Sequence, residues 1–222
     1  MKNIIWMMAG CLVLGGSASA QDQPRQLKGG GHLLGETAEQ FYAEGGTAEL
    51  FRACQAHDWK AVNHLLKDEV HPSKSSAKDV CAEQATVKQN AISGQRLEFK
   101  GAGDPPGMRA DTFTLDGGHL VKIDMVYSTP TAHYEGFHPK SYTELFEGLK
   151  EAYGEPTKAY TEPVLNAYGV QYDAHRAIWM GKDDVILIVE QPGTNPWTKI
   201  VAATLAEYNR TVKEAKTANP LQ

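Results

Sequence analysis

Between Thr131 and Tyr142 the chain reads TAHYEGFHPKSY, its densest collection of side chains able to do chemistry. His133, Glu135 and His138 fall within six residues. Imidazole nitrogens and a carboxylate oxygen are the ligands a zinc-type ion takes, so this triplet supports a metal-binding protein or a metal-dependent hydrolase. The same stretch carries Tyr134 and Phe137 and connects a strand-like run to a helix-like one, a place where loops commonly present binding residues. Tyrosine and phenylalanine supply contact area at low entropic cost. Trp197, in GTNPWTK, is flanked by proline and glycine outside any clear period and is a second aromatic anchor. Tyr134, Phe137, His138 and Trp197 are therefore the expected contact residues of a binding surface. No catalytic residue and no cofactor is expected with them.

Other combinations are weaker. His57, His64 and His71 recur every seven residues. A helical metal pair needs a spacing of three or four, whereas seven separates neighbouring Cα atoms by ~10.5 Å. Asp173 and His175 would share one face of a strand, but no nucleophile stands beside them to complete a triad. G-x-S-x-G, H-E-x-x-H, Walker and dinucleotide fingerprints are all absent from the sequence. In GAGDPPG, Pro105 and Pro106 withhold two amides, which makes a poor phosphate cradle. Asn209-Arg210-Thr211 fits a glycosylation sequon, of consequence only in a eukaryotic secretory host.

The N-terminus bears on where such a surface would work. Met1-Lys2-Asn3 is followed by the apolar run IIWMMAGCLVL, too short to span a bilayer, and then by SASA before Gln21. That order predicts a secretory signal peptide over residues 1–20 and a secreted or periplasmic protein. The alternative is a lipoprotein cleavage box ending at Cys11, preceded by only the five apolar residues Ile4 to Met8. Loss of Lys2 with the leader moves the formal charge from -5 to -6. The remaining chain holds no Lys/Arg cluster and no second apolar run of spanning length. Nucleic acid is thus an unfavoured partner, no transmembrane segment is expected, and a protein or envelope component is the favoured partner. Two of the three cysteines, Cys54 and Cys81, lie beyond the leader. In an oxidising compartment they are expected to form one disulfide, and no C-x-x-C spacing argues for a metal or redox pair.

The elements that must hold these residues can be read from caps and periodicity. Residues 21–34 are polar and Gly-rich, a flexible leader. Thr37 with Gln40 makes a capping box for a first helix, and Gly45-Gly46 stops it. Thr47 caps a second, with Leu50, Cys54, Ala61, Leu65 and Leu66 at helical spacing. His71 to Asp79 reads as a polar loop. RLEFK (96–100) alternates like a strand, and DTFTLDGGHLVKIDMVY (111–127) is a hairpin turning at Asp116-Gly117-Gly118. Ser141 with Glu144 makes another capping box, and Tyr142, Leu145, Phe146, Leu149 and Tyr153 form one apolar stripe. Gly154 and Pro156 end that helix. Asn166 to Ala174 alternates, Arg176 to Met180 resumes in the other phase with a bulge or bend near His175, and VILIV (185–189) is a central strand. Thr198 to Tyr208 is ambiguous between strand and helix, with strand slightly favoured, and a disordered tail follows over 213–222.

The fold class is α+β, with helices on one face of antiparallel sheet. Residues 35–130 and 131–212 each run from helix to strands, as two related units or one domain with a continuous sheet. Gly35-Glu36-Thr37-Ala38-Glu39-Gln40-Phe41 resembles the helix start of the SmpA/OmlA outer-membrane lipoproteins and the β-lactamase-inhibitor-like proteins. Tyr153-Gly154-Glu155-Pro156 resembles the helix end of the same families. The resemblance covers about a dozen of the 222 residues. It implies an exported helix-plus-sheet module that binds protein rather than catalyses.

Overall fold

Capping chemistry opens three of the helices, two of them where the sequence says they begin. In the computed structural model, which describes residues 27–29, 31–67, 76–101, 109–128, 141–165, 169–193 and 196–218, Thr37, Ser76 and Ser141 each accept from the backbone N–H three residues on. The side chains of Gln40, Asp79 and Glu144 answer back to the cap. These boxes open α1 (Ala38–Ala43), α4 (Ala77–Ile92) and α5 (Tyr142–Tyr153). Between α1 and α4 stand α2 (Gly45–Gln55) and α3 (Trp59–Lys67). The single second helix expected from Thr47 onward is broken here, because His57 takes a left-handed φ of 54° and Asp58 caps a new start by accepting from the Ala61 N–H. Two further elements escaped the periodicity. The second half of the expected polar loop is the start of α4, whose weak apolar stripe conceals it, and Lys158–Leu165 is an exposed edge strand.

The strands are β1 (Lys28–Gly29), β2 (His32–Leu33), β3 (Leu97–Gly101), β4 (Arg109–Asp116), β5 (His119–Ser128), β6 (Lys158–Leu165), β7 (Gln171–Met180), β8 (Asp184–Gln191) and β9 (Trp197–Thr204). β3 to β9 form one wholly antiparallel sheet in the order β3-β4-β5-β9-β8-β7-β6. The turn between β4 and β5 places Gly117 and Gly118 at φ 58° and 79°, the two positive values that a two-residue hairpin needs. β9 returns to lie beside β5, so a single sheet runs through both halves of the chain. The fold is α+β, as expected.

Cross-strand partners share a face. Phe113, Ile123, Ala202, Ile186 and Trp179 follow one another across four ladders and meet Phe41, Tyr42, Phe51, Leu145 and Leu149 in one core. The helices of this core, α1, α2 and α5, therefore lie on one face of the sheet, with Ala91 of α4 in the same cluster. The disulfide between Cys54 and Cys81 ties α2 to α4. On the reverse face Val185 and Ala203 are buried beside the start of the last helix, α6 (Leu205–Ala218), while Tyr172, Ile178, Leu187, Trp197 and Val201 are half-exposed.

Three local expectations are corrected. The leader is part of the fold from Leu27 onward. β1 and β2 pair, β1 lies against β5, and a Cβ on Gly29 would sit 2.5 Å from Ile123 Cγ2. The ambiguous segment contains both structures, strand to Thr204 and helix from Leu205, and that helix carries the expected tail as far as Ala218. No bulge interrupts β7 near His175, for its pairing with β6 is continuous from Gln171 to Ile178. The change of phase arises because Ala174 is buried on one face of the sheet and Ala177 and Trp179 on the other.

Candidate functional site at one end of the sheet

Five strand ends meet at one edge of the sheet: the C-termini of β5, β8 and β6 and the N-termini of β9 and β7. Trp197 opens β9 there, registered between Ser128 of β5 and Gln191 of β8. It is half-buried rather than fully exposed, and its register puts it on the reverse face with Tyr172. The other expected contact residues, Tyr134, Phe137 and His138, and the metal candidates His133 and Glu135, lie outside the described residues. The anchors of their connection are described, and both are at this end. The described part of β5 ends at Ser128, the partner of Trp197, and the next described residue is Ser141, next to Tyr142.

A polar clamp holds this end together. His175 Nδ1 lies 2.5 Å from Glu190 Oε2, and the His175 backbone N–H donates to the same oxygen at 3.1 Å. A carboxylate only accepts, so Nδ1 carries a proton. Arg176 donates through Nε to Glu162 Oε1 at 2.9 Å, through Nη1 to the His175 carbonyl at 3.1 Å, and also to the Glu190 carbonyl. One guanidinium thus joins β6, β7 and β8. The Tyr142 ring lies against the His175 imidazole with centroids 5.4 Å apart, and stacks on Phe146 at 5.7 Å. Burial pushes the Tyr142 phenol up to about 12, with the Glu190 charge adding to the rise and Arg176 opposing it. It stays a neutral hydroxyl at any ordinary pH.

The clamp contains an oriented imidazole, the beginning of a general base. Asp173 shares a strand face with His175, but the residue that holds the imidazole is Glu190, fifteen residues along the chain and on the neighbouring strand. Among the described residues no cluster of three or more His, Cys, Asp or Glu side chains is arranged to hold a metal ion.

Beyond the clamp the surface carries exposed apolar side chains beside the polar Gln171 and Asp173. The β6–β7 hairpin reaches past the other strands and exposes Leu165 by 67% and Val170 by 49%, the two most exposed large hydrophobic side chains among the described residues. Tyr172 stands at the base of that hairpin, and a Cβ on Gly193, in the β8–β9 connection, would touch its ring at 4.0 Å. Val170 was missed in the sequence because it reads as an ordinary member of an alternating strand, and Leu165 because its strand was not read there. No described element covers either side chain. No described helix is long and apolar enough to cross a membrane. No family model, no curated protein and no solved structure matches the chain.

Proposed function

We propose that the chain is an exported binding protein that recognises another protein or an envelope component through this end of its sheet, without catalysis. The observation that carries the reading is the set of apolar side chains at one end of the sheet, above a clamp that fixes the strand ends. Tyr172 and Trp197 lie on its reverse face, and exposed Leu165 and Val170 stand on the protruding β6–β7 hairpin, with Leu165 registered to the other face. Apolar and aromatic side chains on a rigid base are the anchors from which interfaces draw most of their energy. The clamp supplies the rigidity, so little ordering cost falls on the partner. The N-terminal segment supports export, and the disulfide fits an oxidising compartment. His133, Glu135 and His138 support the alternative, a metal-binding protein or metal-dependent hydrolase, through their ligand chemistry alone.

Affinity capture from the native envelope fraction tests the proposal. The wild type and a Lys60→Glu control, changed on an exposed position of α3, should retain the same partner. Leu165→Asp and Trp197→Ala should each release it with at least a tenfold loss of affinity, the scale of one interface anchor. Equal retention by all four proteins would reject this end of the sheet as the binding surface. Stoichiometric metal in the purified protein, lost on His133→Ala and His138→Ala, would favour the alternative.

A further inference from the structure

β6 is an outer strand of the sheet, paired on one side with β7. Two hydrogen bonds show which of its backbone groups face out. The Met180 N–H points from β7 toward β6, donating to Thr157 Oγ1 at 2.9 Å, whereas the His175 N–H points the other way, to Glu190 on β8. Even-numbered residues of β7 therefore bond toward β6. Their partners Lys158, Tyr160 and Glu162 bond back, because Lys158 pairs with Ile178 and Tyr160 with Arg176. The N–H and C=O groups of Ala159 and Thr161 consequently face the open edge. Pro163 faces it too, and having no N–H it forfeits no bond to β7. Residues 158–161 are all exposed.

Natural edge strands are usually blunted against pairing. This one carries a charge pattern that selects a particular partner. We propose that β6 pairs antiparallel with β6 of a second copy of this chain, about a two-fold axis through Tyr160. That register sets Lys158 opposite the second copy's Glu162, and Glu162 opposite its Lys158. Any other antiparallel self-register breaks this match, and centring on Glu162 would oppose two carboxylates. The same register makes Ala159 and the second copy's Thr161 a pair that exchanges both backbone hydrogen bonds, four across the axis, clear of Pro163. Tyr160 then meets its own copy in a closely spaced, non-hydrogen-bonded pair, where side chains come nearest. Lys158 is available for the exchange, since its ammonium lies 4.6 Å over the Tyr160 ring and makes no ion pair among the described residues. Glu162 already accepts from Arg176 Nε through Oε1, and the register gives its carboxylate a second cation. The interface is isologous and closes, as dimers with two-fold symmetry require. It joins two seven-stranded sheets into one. It is independent of the surface at Leu165 and Trp197, whose failure as a binding site would leave it standing.

The test uses the full chain with Cys11→Ser, so that an added cysteine is the only free thiol. Under mild oxidation Tyr160→Cys should form a covalent dimer at least tenfold faster than Thr161→Cys, since only the residue on the axis faces itself. In sedimentation across a concentration series the wild type should dimerise. Lys158→Glu should weaken the dimer about tenfold, and the double exchange Lys158→Glu with Glu162→Lys should restore it. A wild type that stays monomeric throughout overturns the proposal, even if β6 proves to receive a strand from another protein. So does equal cross-linking at positions 160 and 161, which would place any dimer elsewhere or in another register.

Discussion

Glu207 shows how one residue can tie distant parts of the chain. Its carboxylate is buried to 4% exposure at the start of α6 and accepts from Arg96, before β3, at 2.8 and 3.1 Å, and from Arg210 at 2.8 Å. The hydrogen bond from Arg210, reinforced by those from Arg96 against the cost of burial, lowers its pKa from 4.5 to about 2. A carboxylate depressed by folding contributes stability that is complete above its unfolded value and is lost as the pH falls through the folded one. Here the window runs from about pH 4.5 down to about pH 2. Urea unfolding should show wild-type stability declining through that window, by about 2–3 kcal/mol from this group. Glu207→Gln should be less stable by a similar amount at pH 6 and should show a flatter decline in acid. An unchanged acid limb would mean that the Arg96 and Arg210 contacts do not hold in solution. Nothing in the sequence marked Glu207, because its partners are three and 111 residues away. The cysteines were legible for the opposite reason. Outside any C-x-x-C spacing, the two thiols beyond the expected leader are left with each other, and Cys54 and Cys81 do pair.

Among elements, legibility followed capping and alternation. Ser141, Glu144, Gly154 and the stripe from Tyr142 to Tyr153 specified α5 almost residue by residue, because caps are local chemistry. α4 lacked such a stripe, since its exposed face is broad and one of its residues, Ala91, is fully buried, so it was read as loop despite its capping box. It depends instead on attachment. The Cys54–Cys81 bridge closes a loop of 27 residues, and constraining such a loop stabilises a fold by about 3–4 kcal/mol on the chain-entropy model. Cys54→Ser with Cys81→Ser should lower stability by roughly that amount. Amide exchange should rise first in α2 and α4 and last in β5 and β9, the interior of the sheet. Uniform loss of protection would show that the helix layer and the sheet open as one unit. The N-terminal pair β1–β2 is docked differently, by close approach. Gly29→Val should place its side chain on Ile123 and lift residues 27–34 away from β5. Proteolysis in that segment should then quicken while the sheet remains intact.

For the molecule as a whole, the question was whether two helix-then-strand units are two bodies. The sheet gives a direct answer in its order. β5 of the first half is flanked by β4 and β9, so its ladder from Lys122 to Ser128 is completed only by the second half. A fragment of residues 35–130 would expose that edge together with the apolar face of Ile123 and Met125. We expect it to remain unfolded or to aggregate when made alone. In the intact chain, tryptophan fluorescence, which reports on Trp179 in the core and on half-buried Trp59 and Trp197, and far-ultraviolet circular dichroism should give coincident urea transitions. Two separated transitions would show that the halves fold independently.

The local sequence was sufficient for the fold class, two helix starts, the glycine-turned hairpin and the disulfide, since each rests on a few neighbouring residues or on the expected compartment. It placed Trp197 among candidate contacts without knowing its face. Its neighbours came from the packing of distant segments. Glu190 rather than Asp173 holds His175, because the adjacent strand brings it closer than the chain does. Leu165 and Val170 became surface because β6 is the last strand and no described element lies beyond its hairpin. Lys158 and Glu162 became a possible match for another copy only once β6 was an edge. Hydrophobic pattern states what should be covered, and the arrangement of strands settles what is left uncovered.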